Sequence, residues 1–312
     1  MNLDIDEQTN ENIIKLELDL FALSDSELLN FVKKISQGDP VLVRHKSFLN
    51  ADKKTFVDFV SRIGNFYQRK EHYFTDQDTG SFTRVTNERL NGKKIGLFAD
   101  LELCWHSNGN AREEGKTPEV TIGLYCVKPG DSDYGITGFC NTKKAYEDLP
   151  KYRKELVDDI EVRMLTRAFM GQVPTLHPSD GGYKLSEDDP EFEVFMKKQL
   201  DKDGNEVFWN DIEEIWKPLV INHPWANSKA IRWTPSFIID WKSKSGKEYD
   251  SLELWDYLNS HVYQDKYTYF HKWNSGDWIW MDQWTSVHNR SEVKGDRSLY
   301  RFCVDNKNIV DY

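Results

Sequence analysis

The order of apolar and polar residues predicts short strands over most of the chain, with a few helices between them. Apolar and charged residues alternate from Ile13 to Leu20, as expected for a strand with one buried face. The segment Ser24 to Glu27 has the composition of a capping box, which predicts that a helix begins there. A second amphipathic helix is predicted with Phe56 and Phe59 on one face and its end near Gly64.

Strand-like segments recur in two blocks, and a predicted helix with Leu252, Trp255, Leu258 and Val262 on one stripe interrupts the second block. Short strands in both halves of the chain indicate two facing sheets. We therefore expect a mainly β fold with flanking helices, whose core is a double-stranded β-helix (a jelly roll, as in cupins). The predicted strands are 41–45, 83–85, 95–98, 101–105, 120–127, 136–139, 219–221, 230–233, 237–241, 267–273, 278–281, 286–288 and 298–304.

A stretch between the two blocks differs from both. Residues 141–213 are rich in charge and contain a predicted helix around 151–157. We interpret this stretch as a helical insertion or lid. No Pro/Gly/Ser-rich linker divides the chain, so the sequence predicts a single domain over 1–312.

Charge and composition exclude several classes of protein. Lys and Arg number 41 against 52 Asp and Glu, and the net charge of −11 disfavours a nucleic-acid partner, which needs concentrated positive charge. No apolar run approaches the roughly 20 residues of a membrane helix, and the amino terminus is acidic where a signal peptide is basic. The four cysteines lack CxxC spacing, which is typical of reduced thiols. We expect a cytoplasmic protein without a membrane partner; its oligomeric state is not predicted.

Two of the eight histidines lie in contexts that favour metal binding. A histidine taken alone is more often structural than a ligand. His106 closes a strand-like segment, and in an extended chain Asn108 faces the same side. His288 lies in a late strand and is followed by Arg297 and Arg301, four residues apart. Non-haem iron oxygenases bind their metal with two imidazoles and a carboxylate, and arginine matches a carboxylate with two hydrogen bonds.

The segments that carry these residues together resemble the taurine dioxygenase-like (TauD/TfdA) family of Fe(II)/2-oxoglutarate-dependent oxygenases. The similarity covers about residues 95 to 140 and 215 to 304, a little under half of the chain. It implies an enzyme that uses dioxygen, decarboxylates 2-oxoglutarate to succinate and hydroxylates an unactivated C–H bond. The matching segments are Trp105-His106-Ser107-Asn108, Gly123-Leu124-Tyr125 with Thr137, His223-Pro224, Trp273 to Asp282, and His288 to Arg301.

The resemblance also implies roles for individual residues. His106 and His288 would bind Fe(II), with Asn108 at the position of the third ligand. Thr137 and Arg297 would hold the distal carboxylate of 2-oxoglutarate.

Arg301 occupies the position at which sulfonate-using relatives place an anion-binding arginine. The resemblance therefore implies a small, anionic substrate, such as a carboxylate or a sulfonate. An ordinary surface ion pair is the alternative role for this arginine, and the sequence does not identify the substrate.

Asn108 departs from the family pattern, which has an acidic residue two positions after the first histidine. An amide oxygen is neutral and a poorer ligand for iron than a carboxylate. Asn108 could bind iron weakly, or leave a coordination site that chloride fills, as in related halogenases. Glu102, Glu113 or Glu114 could supply the carboxylate, or deamidation of Asn108-Gly109 could create one. The last alternative is a non-catalytic member of the fold that binds a small molecule.

Overall fold

Most of the strands belong to two principal β-sheets. The computed structural model describes residues 12–66, 75–76, 78–91, 93–95, 102–108, 120–164 and 215–310. Its strands are β1 (Ile14–Glu17), β2 (Val41–Arg44), β3 (Thr83–Thr86), β4 (Arg89–Leu90), β5 (Lys93–Lys94), β6 (Leu103–His106), β7 (Thr121–Pro129), β8 (Thr137–Asn141), β9 (Ile160–Met164), β10 (Ile215–Pro218), β11 (Val220–Asn222), β12 (Lys229–Ile231), β13 (Ile238–Ser243), β14 (Thr268–His271), β15 (Trp278–Asp282), β16 (Ser286–Arg290) and β17 (Arg297–Val304).

The larger sheet has six strands in the order β1-β2-β15-β7-β17-β3, and the smaller sheet has four in the order β14-β8-β16-β6. All neighbouring strands in these two sheets are antiparallel except β1 and β2. Minor sheets are formed by β10-β9-β13, β11-β12 and β4-β5. The prediction of a mainly β protein with flanking helices is therefore confirmed.

The inner faces of the two sheets share one apolar cluster. Ile122 and Ile279 of the larger sheet and Phe139 of the smaller sheet are buried in it. On β17, Leu299 and Cys303 also belong to this cluster. Side chains alternate along a strand, so Arg301, which is two residues from both Leu299 and Cys303, also points to the inner face.

The helices are α1 (Asp25–Ile35), α2 (Lys46–Leu49), α3 (Lys53–Ile63), α4 (Thr142–Glu147), α5 (Lys151–Asp158) and α6 (Ser251–Val262). The predicted capping box is present: the Ser24 backbone N–H donates to Glu27 Oε2 at 2.9 Å, and Ser24 Oγ accepts from the Glu27 backbone. Aromatic side chains of α1 and α3 pack on Trp278 and Trp280, on the outer face of the larger sheet. Burying each such ring contributes roughly 1.5–3 kcal/mol.

The outer face of the smaller sheet is covered by α4, α6 and strand β9. In α6 the predicted apolar stripe is wrong at its first residue, because Leu252 is 65% exposed. Leu252 lies in the first turn, on the side of the helix away from the sheet, and Leu254 takes the buried place.

The first part of the predicted insertion forms α4, α5 and β9, and β9 pairs with β10 and β13. Residues 165–214 lie outside the described residues, as does most of the predicted strand 95–98. The single domain with a lid at 141–213 therefore stays a prediction. The four cysteines, all of which lie within the described ranges, form no disulfide. Among the helices of the described ranges, none has the length and apolar character needed to cross a membrane.

Candidate active site

Two rows of side chains run across the inner face of the smaller sheet. Residues that oppose each other on paired strands point to the same side of a sheet. Phe139, buried in the cluster between the sheets, marks that side as the inner one. We call the rows the histidine row (Tyr269, Phe139, His288 and His106) and the threonine row (His271, Thr137 and Arg290).

His106 and His288 are direct partners in the β6–β16 ladder, and their ring centroids are 4.2 Å apart. His106 Nδ1 lies 2.8 Å from the carbonyl oxygen of Cys104. A carbonyl can only accept, so Nδ1 carries the proton and Nε2 keeps the lone pair. This tautomer leaves the Nε2 of His106 available to a metal.

Both imidazoles are in their neutral form at neutral pH. Desolvation, together with the charges of Arg301 and Arg290, lowers the pKa of His106 to about 4. Burial lowers the pKa of His288 well below its ordinary value, assisted by His106 and Arg301. Metal binding requires the neutral ring, so the surroundings favour the form that acts as a ligand.

The turn that carries Asn108 is held by Gln283, which directly follows β15. The Asn108 backbone N–H donates to Gln283 Oε1 at 2.7 Å, and Ser107 Oγ donates to the Gln283 carbonyl at 3.0 Å. Gln283 is buried and thus fixes the chain two residues beyond the first histidine. Sequence reasoning missed Gln283, although it immediately follows the matching segment that ends at Asp282.

An acidic residue that could serve as the third ligand, beside the two histidines, is not found in the part of the chain that the structure describes. There, no group of three His, Cys, Asp or Glu side chains could hold a metal ion. Glu102 is exposed and joins no such group. Glu113, Glu114 and Gly109 lie outside the described residues, so the alternatives that involve them stay open.

Thr137 and Arg297 are brought together by Trp273. Trp273 Nε1 donates to Thr137 Oγ1 at 2.9 Å, and the Arg297 Cζ atom lies 5.9 Å from the centre of the Trp273 ring. Arg297 is only 2% exposed, and its buried Nε has no hydrogen-bond partner among the residues that the structure describes. A Cβ at Gly135 would lie 3.0 Å from that Nε, so glycine leaves the guanidinium its space.

Burial, together with the charge of Arg290, lowers the pKa of Arg297 to about 9. A buried guanidinium with an unused N–H is costly unless an anion binds to it. The surroundings of Arg297 therefore fit a carboxylate ligand.

Trp273 is itself supported by a hydrogen-bonded network around the buried Asp277. Its ring stands perpendicular to that of His271, with centroids 4.8 Å apart. His271 Nε2 lies 2.9 Å from Asp277 Oδ2, and Arg44 Nε donates to Asp277 Oδ1 at 2.6 Å. Sequence reasoning missed this network, because nothing in the pattern relates Arg44 to the other members.

Arg301 lies on the inner face of β17 and is 9% exposed. Its charge lowers the pKa of both His106 and His288, so its guanidinium is close to the histidine pair. The larger sheet thus supplies Arg301 near the two histidines and Arg297 near Thr137. The six residues implied by the resemblance lie in or beside the inner faces of the two sheets, and their roles stay predictions.

His223, which the resemblance also includes, does not belong to the histidine row or the threonine row. Its Nδ1 accepts from the Ala226 backbone N–H at 2.9 Å, so Nε2 carries the proton and donates to Asp282 Oδ2 at 3.0 Å. Asp282 Oδ1 accepts from the backbone of Trp284 and Thr285. This buried pair anchors the turn between β15 and β16, which is a structural role.

The sequence matches the Taurine catabolism dioxygenase TauD, TfdA family over residues 8–303. Pentalenolactone F synthase of Streptomyces arenae is 26% identical over 209 residues, which cover 65% of this chain and 61% of that protein. The match thus spans about three fifths of that relative's length.

Three solved structures show the same fold. A taurine dioxygenase from Burkholderia xenovorans has a TM-score of 0.61 at 17% identity, covering 94% of this chain and 85% of its own. AAD-2 in complex with Mn(II) and N-oxalylglycine has a TM-score of 0.65 at 18% identity, covering 97% of both chains. PvcB, an Fe, alpha-ketoglutarate dependent oxygenase from an isonitrile synthetic pathway, has a TM-score of 0.59 at 18% identity, covering 94% and 85%. At these identities the likeness concerns the fold alone.

Proposed function

Because the chain belongs to the TauD, TfdA family of Fe(II)/2-oxoglutarate-dependent dioxygenases, we propose that it couples decarboxylation of 2-oxoglutarate to hydroxylation of a small anionic substrate. The observation that carries this proposal is the pairing of His106 with His288, one row away from Thr137 on the same face of the sheet. We also propose that the two facing sheets form a double-stranded β-helix, in keeping with the likeness to solved structures.

The donor atoms around the histidine pair suit a ferrous ion. His106 and His288 offer neutral imidazoles, which are good ligands for Fe(II), and the amide of Asn108 would be a weaker, neutral third ligand. When bound there, Fe(II) would supply the activation of dioxygen and a chelating point for the 2-oxo acid end of the cosubstrate.

Thr137 and Arg297 would hold the distal carboxylate of 2-oxoglutarate. The hydroxyl of Thr137 and the planar fork of Arg297 together offer donors to both carboxylate oxygens. Trp273 orients both side chains and, with Leu299, forms an apolar wall. Such a wall excludes water and strengthens each charged hydrogen bond.

Arg301 would bind the anionic group of the substrate. Its position beside the histidine pair, on the opposite sheet, would hold a bound carboxylate or sulfonate near the metal. The charge-assisted hydrogen bond would fix which C–H bond of the substrate is presented to the site.

Halogenation is a second candidate outcome, favoured by the lack of a third acidic ligand beside the histidines among the described residues. A neutral Asn108 could leave room for chloride at the metal. Replacing Asn108 with aspartate distinguishes this outcome from hydroxylation.

The proposal is tested by anaerobic addition of Fe(II) and 2-oxoglutarate to the purified protein. A visible charge-transfer band that requires both components is expected, because the 2-oxo acid chelates the metal. Succinate in place of 2-oxoglutarate is the matched control, since it lacks the 2-oxo group and should give no band. A folded protein that binds Fe(II) and 2-oxoglutarate without any band would contradict the proposal.

A further inference from the structure

Arg290 is a buried charged residue to which the proposed function gives no role. It lies at the end of β16, two residues after His288, and is only 4% exposed. Burying a guanidinium in a β-sheet core is costly unless an anion offsets its charge. The strand register shows which part of the site this guanidinium faces.

The strand register directs Arg290 into the cosubstrate region. His288 and Arg290 are two apart on one strand, so both side chains point to the inner face. Arg290 is the direct ladder partner of Thr137, whose hydroxyl accepts from Trp273. Trp273 in turn lies beneath Arg297. Two guanidinium groups, one from each sheet, thus approach the same threonine.

The spacing of the two rows matches the cosubstrate. Alternate residues on a strand are about 7 Å apart. That separation is comparable to the length of an extended five-carbon chain. A 2-oxo acid chelated beside His288 would therefore place its far end near the threonine row, where Arg290 lies.

The charges agree with this placement. Arg290 lowers the pKa of both Arg297 and His106, so its guanidinium lies close enough to act on both. Like charges repel strongly where water is excluded. A carboxylate bound between Arg290 and Arg297 would relieve that repulsion.

We propose that Arg290 is a second guanidinium of the 2-oxoglutarate site, which donates to the distal carboxylate together with Arg297 and Thr137. This inference rests on the proposed function and deepens it. It adds a cause of specificity: a site with two arginines at its far end selects 2-oxo acids that carry a second carboxylate.

Calorimetric titration of the Mn(II)-loaded protein tests the inference without turnover. The variants are Arg290→Met and Arg297→Met, and Arg62→Met on the surface of α3 is the matched control. We expect Arg290→Met to weaken binding of 2-oxoglutarate by roughly tenfold or more, as for the loss of a charged hydrogen bond. Binding of 2-oxobutyrate, which lacks the distal carboxylate, should be unchanged.

Thermal unfolding gives a second readout, which separates anion binding from a structural role. The melting temperature of each ligand-free variant is the reference from which its ligand-induced rise is measured. The rise in melting temperature caused by 2-oxoglutarate should be reduced, because that rise reflects binding. A lower melting temperature with the ligand-induced rise intact would assign Arg290 a structural role and overturn the inference.

The outcomes distinguish this inference from the proposed function. Undiminished 2-oxoglutarate affinity in Arg290→Met, with affinity lost in Arg297→Met, would overturn the role of Arg290 alone. Equal losses for 2-oxoglutarate and 2-oxobutyrate would also overturn it. Wild-type protein that does not bind 2-oxoglutarate would contradict the proposed function itself. If Arg290→Met does not fold, Arg290→Lys keeps the charge and loses the fork, and unchanged 2-oxoglutarate binding by that variant would reject the inference.

Discussion

The imidazole of His106 faces that of His288 across two antiparallel strands, at a centroid distance of 4.2 Å. The pairing depends on the register of β6 and β16. A slip of one residue would turn one ring to the outer face of the sheet. The ladder that builds the sheet thus also determines whether the two rings can share a metal.

Replacing His288 with alanine should abolish both the Fe(II)–2-oxoglutarate absorption band and succinate production. The fold should remain, because losing one of few ligands costs more metal affinity than folding free energy. Absorbance under anaerobic conditions and circular dichroism measure the two effects. His45→Ala, at a partly exposed histidine that contacts Ser47, is the matched control and should keep the band. Succinate production by His288→Ala would remove this residue from the site.

Arg297→Lys should raise the concentration of 2-oxoglutarate needed for half-maximal turnover by roughly tenfold or more, although the charge is conserved. Lysine presents a point charge and loses the planar fork. Steady-state kinetics with 2-oxoglutarate as the varied component measure the effect. Arg62→Lys, in an exposed ion pair with Asp25, should behave as wild type. An unchanged requirement would show that the distal carboxylate binds to another guanidinium.

Asn108→Asp should tighten Fe(II) binding, because an anionic ligand offsets part of the metal charge in a region of low dielectric constant. Anaerobic titration with Fe(II) measures this affinity. If Asn108 is only a weak ligand, halide should not change the products of the wild-type protein, and Asn108→Asp should increase the rate of turnover. If Asn108 leaves room for chloride, the wild-type protein should form some halogenated product and the variant should only hydroxylate.

Two further measurements concern the same position. If deamidation of Asn108 supplies the ligand, peptide mass analysis of active samples should find a gain of about one dalton at this residue. If Asn108→Asp changes neither Fe(II) affinity nor turnover, position 108 does not face the metal, and the placement of the site around His106 is wrong.

Asp277→Asn should reduce stability at neutral pH and matter less in acid. Burial raises the pKa of Asp277, but hydrogen bonds from His271 and Arg44 outweigh it and bring the pKa to about 2. Since an aspartate in the unfolded chain has a pKa of about 3.9, the ionised side chain contributes about 2 kcal/mol above that pH. This contribution is lost as the pH falls from about 4 through about 2.

Urea denaturation of both proteins over this pH range measures the effect. The difference in unfolding free energy between wild type and Asp277→Asn should shrink as the pH approaches 2. Asp133→Asn is the matched control, because its ion pair with Lys272 is exposed and should contribute little at any pH. A difference that is independent of pH would mean that Asp277 stabilises the fold without its charge.

The sequence determined the elements whose stability is local. The capping box of Ser24 and Glu27, the end of α3 at Gly64 and most strands were predicted within a few residues. These features depend on neighbouring residues, through hydrogen bonds within a turn or through alternation along one strand. The strand period does not extend to Asn108, because β6 ends at His106 and Asn108 lies in the following turn, so its orientation toward the metal stays a prediction.

Only the tertiary structure decided which residues meet. Nothing in the sequence distinguishes Arg290 from other charged residues. Only its pairing with Thr137 in the sheet brings it to the site. Trp273 and Arg297 meet because two sheets face each other. Contacts between residues far apart in the chain depend on sheet register and packing. A local pattern of apolar and polar positions does not predict them, because it does not specify which strand pairs with which.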